Sequence, residues 1–188
     1  SVIAGGFIVS GDFALDAAAI AALQTSLSNA AIAALPKERI YPVHNFEEIN
    51  DGTEDLTIAT MGYGGKYPVR DGDYDWTFRF MQGGLCLSKA LSKFSGIGRF
   101  ALFYDVNGLL IGRKVGETLM GIPLNFFYSV PWKPSDGSTT PFYAARFSFK
   151  PRYINQDVGF VQADFNLATI EGLEDVALKD AGSVRPAM

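Results

Sequence analysis

Residues 98–114 read GRFALFYDVNGLLIGRK, and the fold is decided by how this stretch is read. Phe100, Leu102, Tyr104 and Val106 alternate with Ala101, Phe103 and Asp105, so an extended strand presents apolar side chains on both faces. Asn107 and Gly108 both tolerate positive φ, and the pair predicts a two-residue type I′ turn. Leu109, Leu110 and Ile111 begin the return strand. A hairpin that is apolar on more than one face belongs in the middle of a sheet rather than at its edge.

On the N-terminal side, residues 85–94 (LCLSKALSKF) place Leu87, Leu91 and Phe94 at helical spacing and turn Lys89 and Lys93 to water, predicting a helix of about three turns that Gly96 and Gly98 end. Before it, residues 74–81 (YDWTFRFM) alternate Tyr74, Trp76, Phe78 and Phe80 against Asp75, Thr77, Arg79 and Met81, the pattern of a half-buried strand. Residues 56–61 read as a further strand. Turns are expected at Gly62, Gly64 and Gly65 and over 68–73, and residues 37–55 read as a polar connection with a short strand at 39–43. Asp16 is the expected N-cap of a helix over 17–35, with Ile20, Leu23, Leu27, Ala31 and Ala34 on its buried stripe and Pro36 stopping it.

On the C-terminal side, strands are expected at 122–130, 142–150 and 159–165, with turns at 116–121 and 155–158. Residues 131–141, PWKPSDGSTTP, read as a long exposed loop. Residues 167–178 fit a helix through Leu167, Ile170, Leu173 and Val176, while 176–178 also suit a strand. The sum is an α+β chain, mainly antiparallel β, sandwich-like or a curled sheet, with two helices packed on it. Residues 1–12 form an apolar strand or an arm that docks on a neighbour, 13–178 a single β-rich domain, and 179–188 a loose tail.

Composition narrows the function classes. Hydrophobic residues make up 48% of 188 and charged residues 19%, so the chain can bury a sizeable core, and a surface short of charge is one meant to be covered. Net charge is −4 and no Lys/Arg cluster occurs, which argues against direct nucleic-acid binding. The alanine-rich run 17–34 is broken by polar residues and preceded by Asp12 and Asp16, so it reads as neither a membrane span nor a signal peptide. Ser1 is read as the residue left after a starting Met is removed. A single cysteine, Cys86, permits no intrachain disulfide and fits synthesis in a reducing compartment.

Each chemical candidate has a blander reading that explains it better. Asp71, Asp73 and Asp75 resemble the start of a calcium loop, but Trp76 and Gln82 stand where an EF-hand needs Gly and Glu. Gly62, Gly64, Gly65 and Lys66 lack the spacing and the following Ser or Thr of a phosphate loop. His44 and Cys86 can be drawn as a thiol triad with any carboxylate, yet Cys86 lies between Leu85 and Leu87 and is expected as a small buried hydrophobe. One histidine makes a zinc site improbable. The aromatic stripes of 74–80 and 142–149 read first as core. No catalytic, cofactor-binding or metal-binding residue is assigned, and the chain is read as a non-enzyme.

From residue 56 to 178 the order of segments resembles small virion structural proteins of tailed bacteriophages and prophages of the Bacteroidetes type. The carriers are GYGGKYPVRDGDYDWTFRF, the GGLCLSKALSKF helix, the RFALFYDVNGLLIGRK hairpin, the GIPLNFFYSV strand and a late strand ending in QADF. The resemblance implies a tail-tube or head-accessory subunit: a β-rich fold with a packed helix, assembled in many copies with other virion proteins, made in the host cytoplasm and located in the virion. It transfers no functional residue. The alternative is a carbohydrate- or receptor-binding β-sandwich module that presents exposed aromatics.

Overall fold

A computed structural model describes residues 2–81, 84–138 and 141–171. Its strands are β1 (Ile3–Val9), β2 (Ala14–Leu15), β3 (Tyr41–Val43), β4 (Glu48–Asp51), β5 (Thr57–Thr60), β6 (Lys66–Arg70), β7 (Tyr74–Phe80), β8 (Phe100–Asp105), β9 (Leu109–Val115), β10 (Thr118–Met120), β11 (Ile122–Lys133), β12 (Phe142–Phe149) and β13 (Val158–Gln162). The helices are α1 (Ala17–Ala21), α2 (Leu23–Ala31), α3 (Gly84–Ser92) and α4 (Arg152–Asn155). Every strand pairing is antiparallel, and eleven strands join in one sheet along the path β2-β10-β9-β8-β11-β12-β7-β4, with β1, β3 and β13 attached beside it. The mainly antiparallel α+β class read from the sequence is therefore the observed one.

β11 curls the sheet. Its first residues, Ile122 and Pro123, pair with β8, and from Leu124 onward it pairs with β12 across a register shift at 124/126. A bulge at that point bends the strand and hands it from one half-sheet to the other. The halves then face each other. One side of β1 and β8 (Ile8, Ala101, Phe103) packs against Phe78, Phe80, Phe127, Phe147 and Phe149. The opposite side (Phe7, Val9, Leu102, Tyr104) packs against Leu23, Leu27 and Ala31 of α2. Both faces of β8 are thus core, which is why its sequence is apolar at every position from 100 to 104.

The central turn differs from the sequence expectation by one residue. Gly108 N–H donates to Asp105 O at 3.1 Å, and Phe103 stands opposite Ile111 and Tyr104 opposite Leu110. The loop is therefore Val106–Asn107–Gly108: a type I turn followed by a glycine at φ +81°, rather than a type I′ pair. The cause is Asp105, whose Oδ1 accepts from the backbone N–H of Asn107 at 2.9 Å and of Leu109 at 2.8 Å. An aspartate that caps its own turn through two amides favours the register in which both are in reach. Val106, expected on the strand face, is consequently exposed at the tip.

Two further expectations, the helix over 17–35 and the loop over 131–141, are corrected, and of the two readings offered for residues 1–12 the structure takes the strand. The helix over 17–35 is two pieces, broken at Ala22 (φ −119°, ψ 48°) and ended at Ile32, so Ala34 lies exposed beyond it; the Asp16 cap is present, accepting from Ala19 N–H at 2.8 Å. The N-terminal segment is an internal strand of its own chain: β1 pairs with β8 along its length and with β3, and Phe7, Ile8 and Val9 are buried. Apolar side chains on both of its faces meet the two cores, so an arm docking elsewhere would leave both open. Residues 131–133 continue β11, which shortens the expected loop from its start, and 134–138 are exposed. On the C-terminal side, Leu167–Thr169 form a single 3₁₀ turn; the expected helix or strand beyond 171 and the tail 179–188 lie outside the described residues.

Candidate assembly surfaces

His44 and Cys86 do not form a pair. His44 Nδ1 lies 2.6 Å from the Tyr104 hydroxyl and Nε2 lies 2.6 Å from the Ile170 carbonyl oxygen. The neutral ring meets both contacts, with Nε2–H donating to the carbonyl and Nδ1 accepting from the phenol. Both nitrogens are thus engaged away from any thiol. Burial holds the His44 pKa below its ordinary value, against the pull of the Ile170 carbonyl and the Glu171 charge, and burial pushes the Tyr104 phenol upward. Cys86 is exposed on α3, contrary to the expected buried hydrophobe. The helix is turned so that Leu91 reaches the core, and Leu87 packs at its margin.

The acidic run is dispersed. Asp75 holds Arg146 through two side-chain hydrogen bonds, while Asp73 offers its backbone oxygen to Glu54 N–H at 3.0 Å. Among the described residues no three His, Cys, Asp or Glu side chains converge on a cation position. The aromatic stripes are core: Phe78 stacks on Phe46 at 4.3 Å, and Phe103 meets Phe147 edge-on at 5.2 Å.

The feature that sequence reasoning missed is an arm. Residues 48–80 form one long antiparallel hairpin. Its base, β4 on β7, is the edge of the large sheet, with Glu48 opposite Arg79 and Asp51 opposite Trp76. Beyond it the ladder continues through Gly52 N–H to Asp75 O at 2.8 Å and Glu54 N–H to Asp73 O. It then passes to β5 on β6, where Thr57 faces Arg70 and Thr60 faces Lys66. Gly72 marks the neck, where a Cβ would lie 1.7 Å from the Glu54 backbone oxygen, so only glycine lets the two strands approach so closely. Gly62, Gly64 and Gly65 form the tip, closed by Met61 N–H to Gly65 O at 2.7 Å. Arg70 pairs with Glu54 at 2.5 Å across the neck.

Every residue of β5 and β6 is exposed, and among the described residues the pair joins no other strand. Leu56, Ile58, Met61, Tyr63, Tyr67 and Val69 stand in solvent on this one projection. A lone two-stranded ribbon is marginal in water, and an apolar cluster of this size outside any core is the mark of a contact surface. The sequence hides the arm because 56–61 reads as an ordinary strand, whereas Lys66, Pro68 and Arg70 make β6 read as a turn.

A cleft of about 730 Å³ lies beside His44, lined by Asn45, Glu47, Tyr104, Asp105, Asn107 and Asn166 among others. Much of its polarity serves the fold: Asp105 caps the central turn, and Asn166 caps the 3₁₀ turn by accepting from Ala168 N–H at 3.0 Å. Among the described residues no helix is long and apolar enough to cross a membrane. Comparison with known proteins returns no matching family model, no matching curated protein and no matching solved structure.

Proposed function

We propose that this chain is a structural, self-assembling subunit of a phage particle, a tail (tube) component or a head/tail accessory protein. The observation that carries the self-assembly reading is the β5–β6 arm, a projecting ribbon with apolar side chains in solvent, rooted on the open edge of a large sheet. Such a ribbon is stabilised when a neighbour covers it. The sparse charge of the whole chain agrees with a surface destined for burial. The virion assignment rests on the resemblance of residues 56–178 to phage structural proteins.

Size-exclusion chromatography with light scattering, followed by negative-stain microscopy, tests assembly: rings, tubes or large regular oligomers are expected. Mass spectrometry of purified particles from a host carrying the gene tests the virion assignment, with this chain expected in many copies per particle. The second reading, a carbohydrate- or receptor-binding module, draws on the polar cleft at Asn45, Glu47 and Asn107 beside Tyr104. A monodisperse monomer that binds glycans on an array would favour it.

A further inference from the structure

A second cleft, of about 280 Å³, opens between the end of β1, the stretch that leads into β3 and the turn that follows α3. Lys37 and Arg99 line it together with the hydroxyl-bearing side chains of Ser10 and Tyr41, and Pro36 and Phe94 give it an apolar wall. Among the described residues no carboxylate lines it. The neighbouring sequence has the same bias: residues 76–104 hold Arg79, Lys89, Lys93 and Arg99 and no Asp or Glu.

The two cations of the cleft are not neutralised within the described chain. Its ion pairs use Arg70, Arg79, Arg146 and Arg152, and neither Lys37 nor Arg99 takes part in one. Arg99 is nonetheless held in place. Its Nε–H donates to the Phe94 carbonyl at 2.9 Å, its Nη2 donates to the Lys93 carbonyl at 3.4 Å, and its guanidinium lies 5.6 Å from the Phe94 ring centre. These bonds satisfy carbonyls at the end of α3, which need donors. They use two of the five guanidinium N–H groups, and the rest are left to donate. The planar fork is already oriented, so an incoming anion finds most of the arginine's rotamer freedom removed in advance.

We propose that this cleft binds the phosphate group of a small phosphomonoester, with Arg99 and Lys37 on the phosphate oxygens. Charge count selects phosphate. Two uncompensated cations match a group that carries about −1.5 to −2 at pH 7, whereas a carboxylate would answer only one of them. Like charges that line one cleft repel until an anion lies between them. Geometry agrees: a guanidinium fork takes two oxygens of one phosphate, and a lysine adds a point charge beside them. Ser10 Oγ accepts from the Asp12 N–H at 3.3 Å, and its own O–H is left to donate.

Size limits the rest of the ligand. The cleft falls just below the roughly 300–1,000 Å³ of small-molecule sites. It therefore suits a phosphate with a few carbons seated against Pro36 and Phe94, and not a nucleotide. The site lies on the body of the molecule, apart from the β5–β6 arm, and does not depend on self-assembly.

The test titrates the full chain at low salt with methyl phosphate, inorganic phosphate and acetate by isothermal calorimetry. It also floats the chain with phosphatidylcholine vesicles, with and without phosphatidic acid, whose headgroup is a phosphomonoester. Lys37 is exposed and its side chain bonds nothing among the described residues, so Lys37→Gln is expected to keep the wild-type melting temperature. Saturable binding of methyl phosphate to wild type is expected, about tenfold or more tighter than acetate, and Lys37→Gln is expected to weaken it by a similar factor. Arg99→Lys keeps the charge and loses the fork, and a comparable loss is expected, with circular dichroism checking that the helices still form. Lys114→Gln removes an exposed cation outside the cleft and is expected to bind as wild type does. Flotation that needs both phosphatidic acid and Lys37 would make the ligand a lipid headgroup, and binding of methyl phosphate without flotation a soluble phosphomonoester; either supports the site. No saturable binding to wild type, equal affinity for acetate, or a loss in Lys37→Gln no greater than in Lys114→Gln would overturn it.

Discussion

Replacing the three residues around the central turn one at a time separates the observed register from its nearest rival. With the loop at Val106–Asn107–Gly108, only Gly108 needs positive φ. Gly108→Ala forces a Cβ into the left-handed region at a cost of about 1–2 kcal/mol. The new atom meets Gln162 Nε2 at 3.3 Å and the Ala163 carbonyl at 3.4 Å, tight but tolerable contacts, so conformation rather than collision dominates. Gly108→Val, β-branched, is expected to cost more, up to about 3 kcal/mol. Gly108→Asn is expected to cost less than Ala because asparagine tolerates this region. Asp105→Ala strips an acceptor from the Asn107 and Leu109 amides inside the protein and is expected to cost about 1–3 kcal/mol. Asn107→Ala removes no required conformation and should stay within about 0.5 kcal/mol. The assay is thermal and urea unfolding, where 1 kcal/mol corresponds to about 2–4 °C in Tm for a chain of this size. If Asn107→Ala proves as costly as Gly108→Ala while Asp105→Ala is nearly silent, the turn is the two-residue type I′ form and the argued register is wrong.

Three other predictions concern the rest of the chain. His44 has a folded-state pKa below its unfolded value near 6.5, so the unfolded chain takes up the proton first. Its contribution is full above about pH 6.5 and is lost as pH falls through the lower folded value; Tm measured from pH 7.5 to pH 5 should drop more steeply in wild type than in His44→Gln, and parallel curves would refute this. Cys86→Ala should change stability by less than about 0.5 kcal/mol and leave assembly intact, because the thiol is exposed; loss of a specific hydrolytic activity would instead revive the thiol as a nucleophile. Deleting residues 1–10 should abolish the folded circular dichroism signal: Phe7, Ile8 and Val9 are each worth about 1.5–3 kcal/mol of burial, a large share of a total stability of about 5–15 kcal/mol. A truncated chain that melts cooperatively near the wild-type Tm would show that β1 is dispensable.

Sequence alone carried the elements whose side chains have one burial option. Tyr74–Phe80, Phe100–Asp105 and Phe142–Phe149 were legible as strands because alternation and aromatic content leave no other way to cover them. The Asp16 cap and the stripe Leu23, Leu27 and Ala31 were legible because capping and helical period are local. Tertiary structure decided the rest. Pairing of β1 with β8 was not readable, since an apolar strand is equally satisfied by its own sheet or a neighbour's until the edge that accepts it is known. The turn moved by one residue because Asp105 found two amides, a geometry that pairwise turn preferences do not contain. The arm was invisible for the same reason: exposure belongs to the whole fold, and an isoleucine or a tyrosine in a strand does not disclose whether a second layer lies over it.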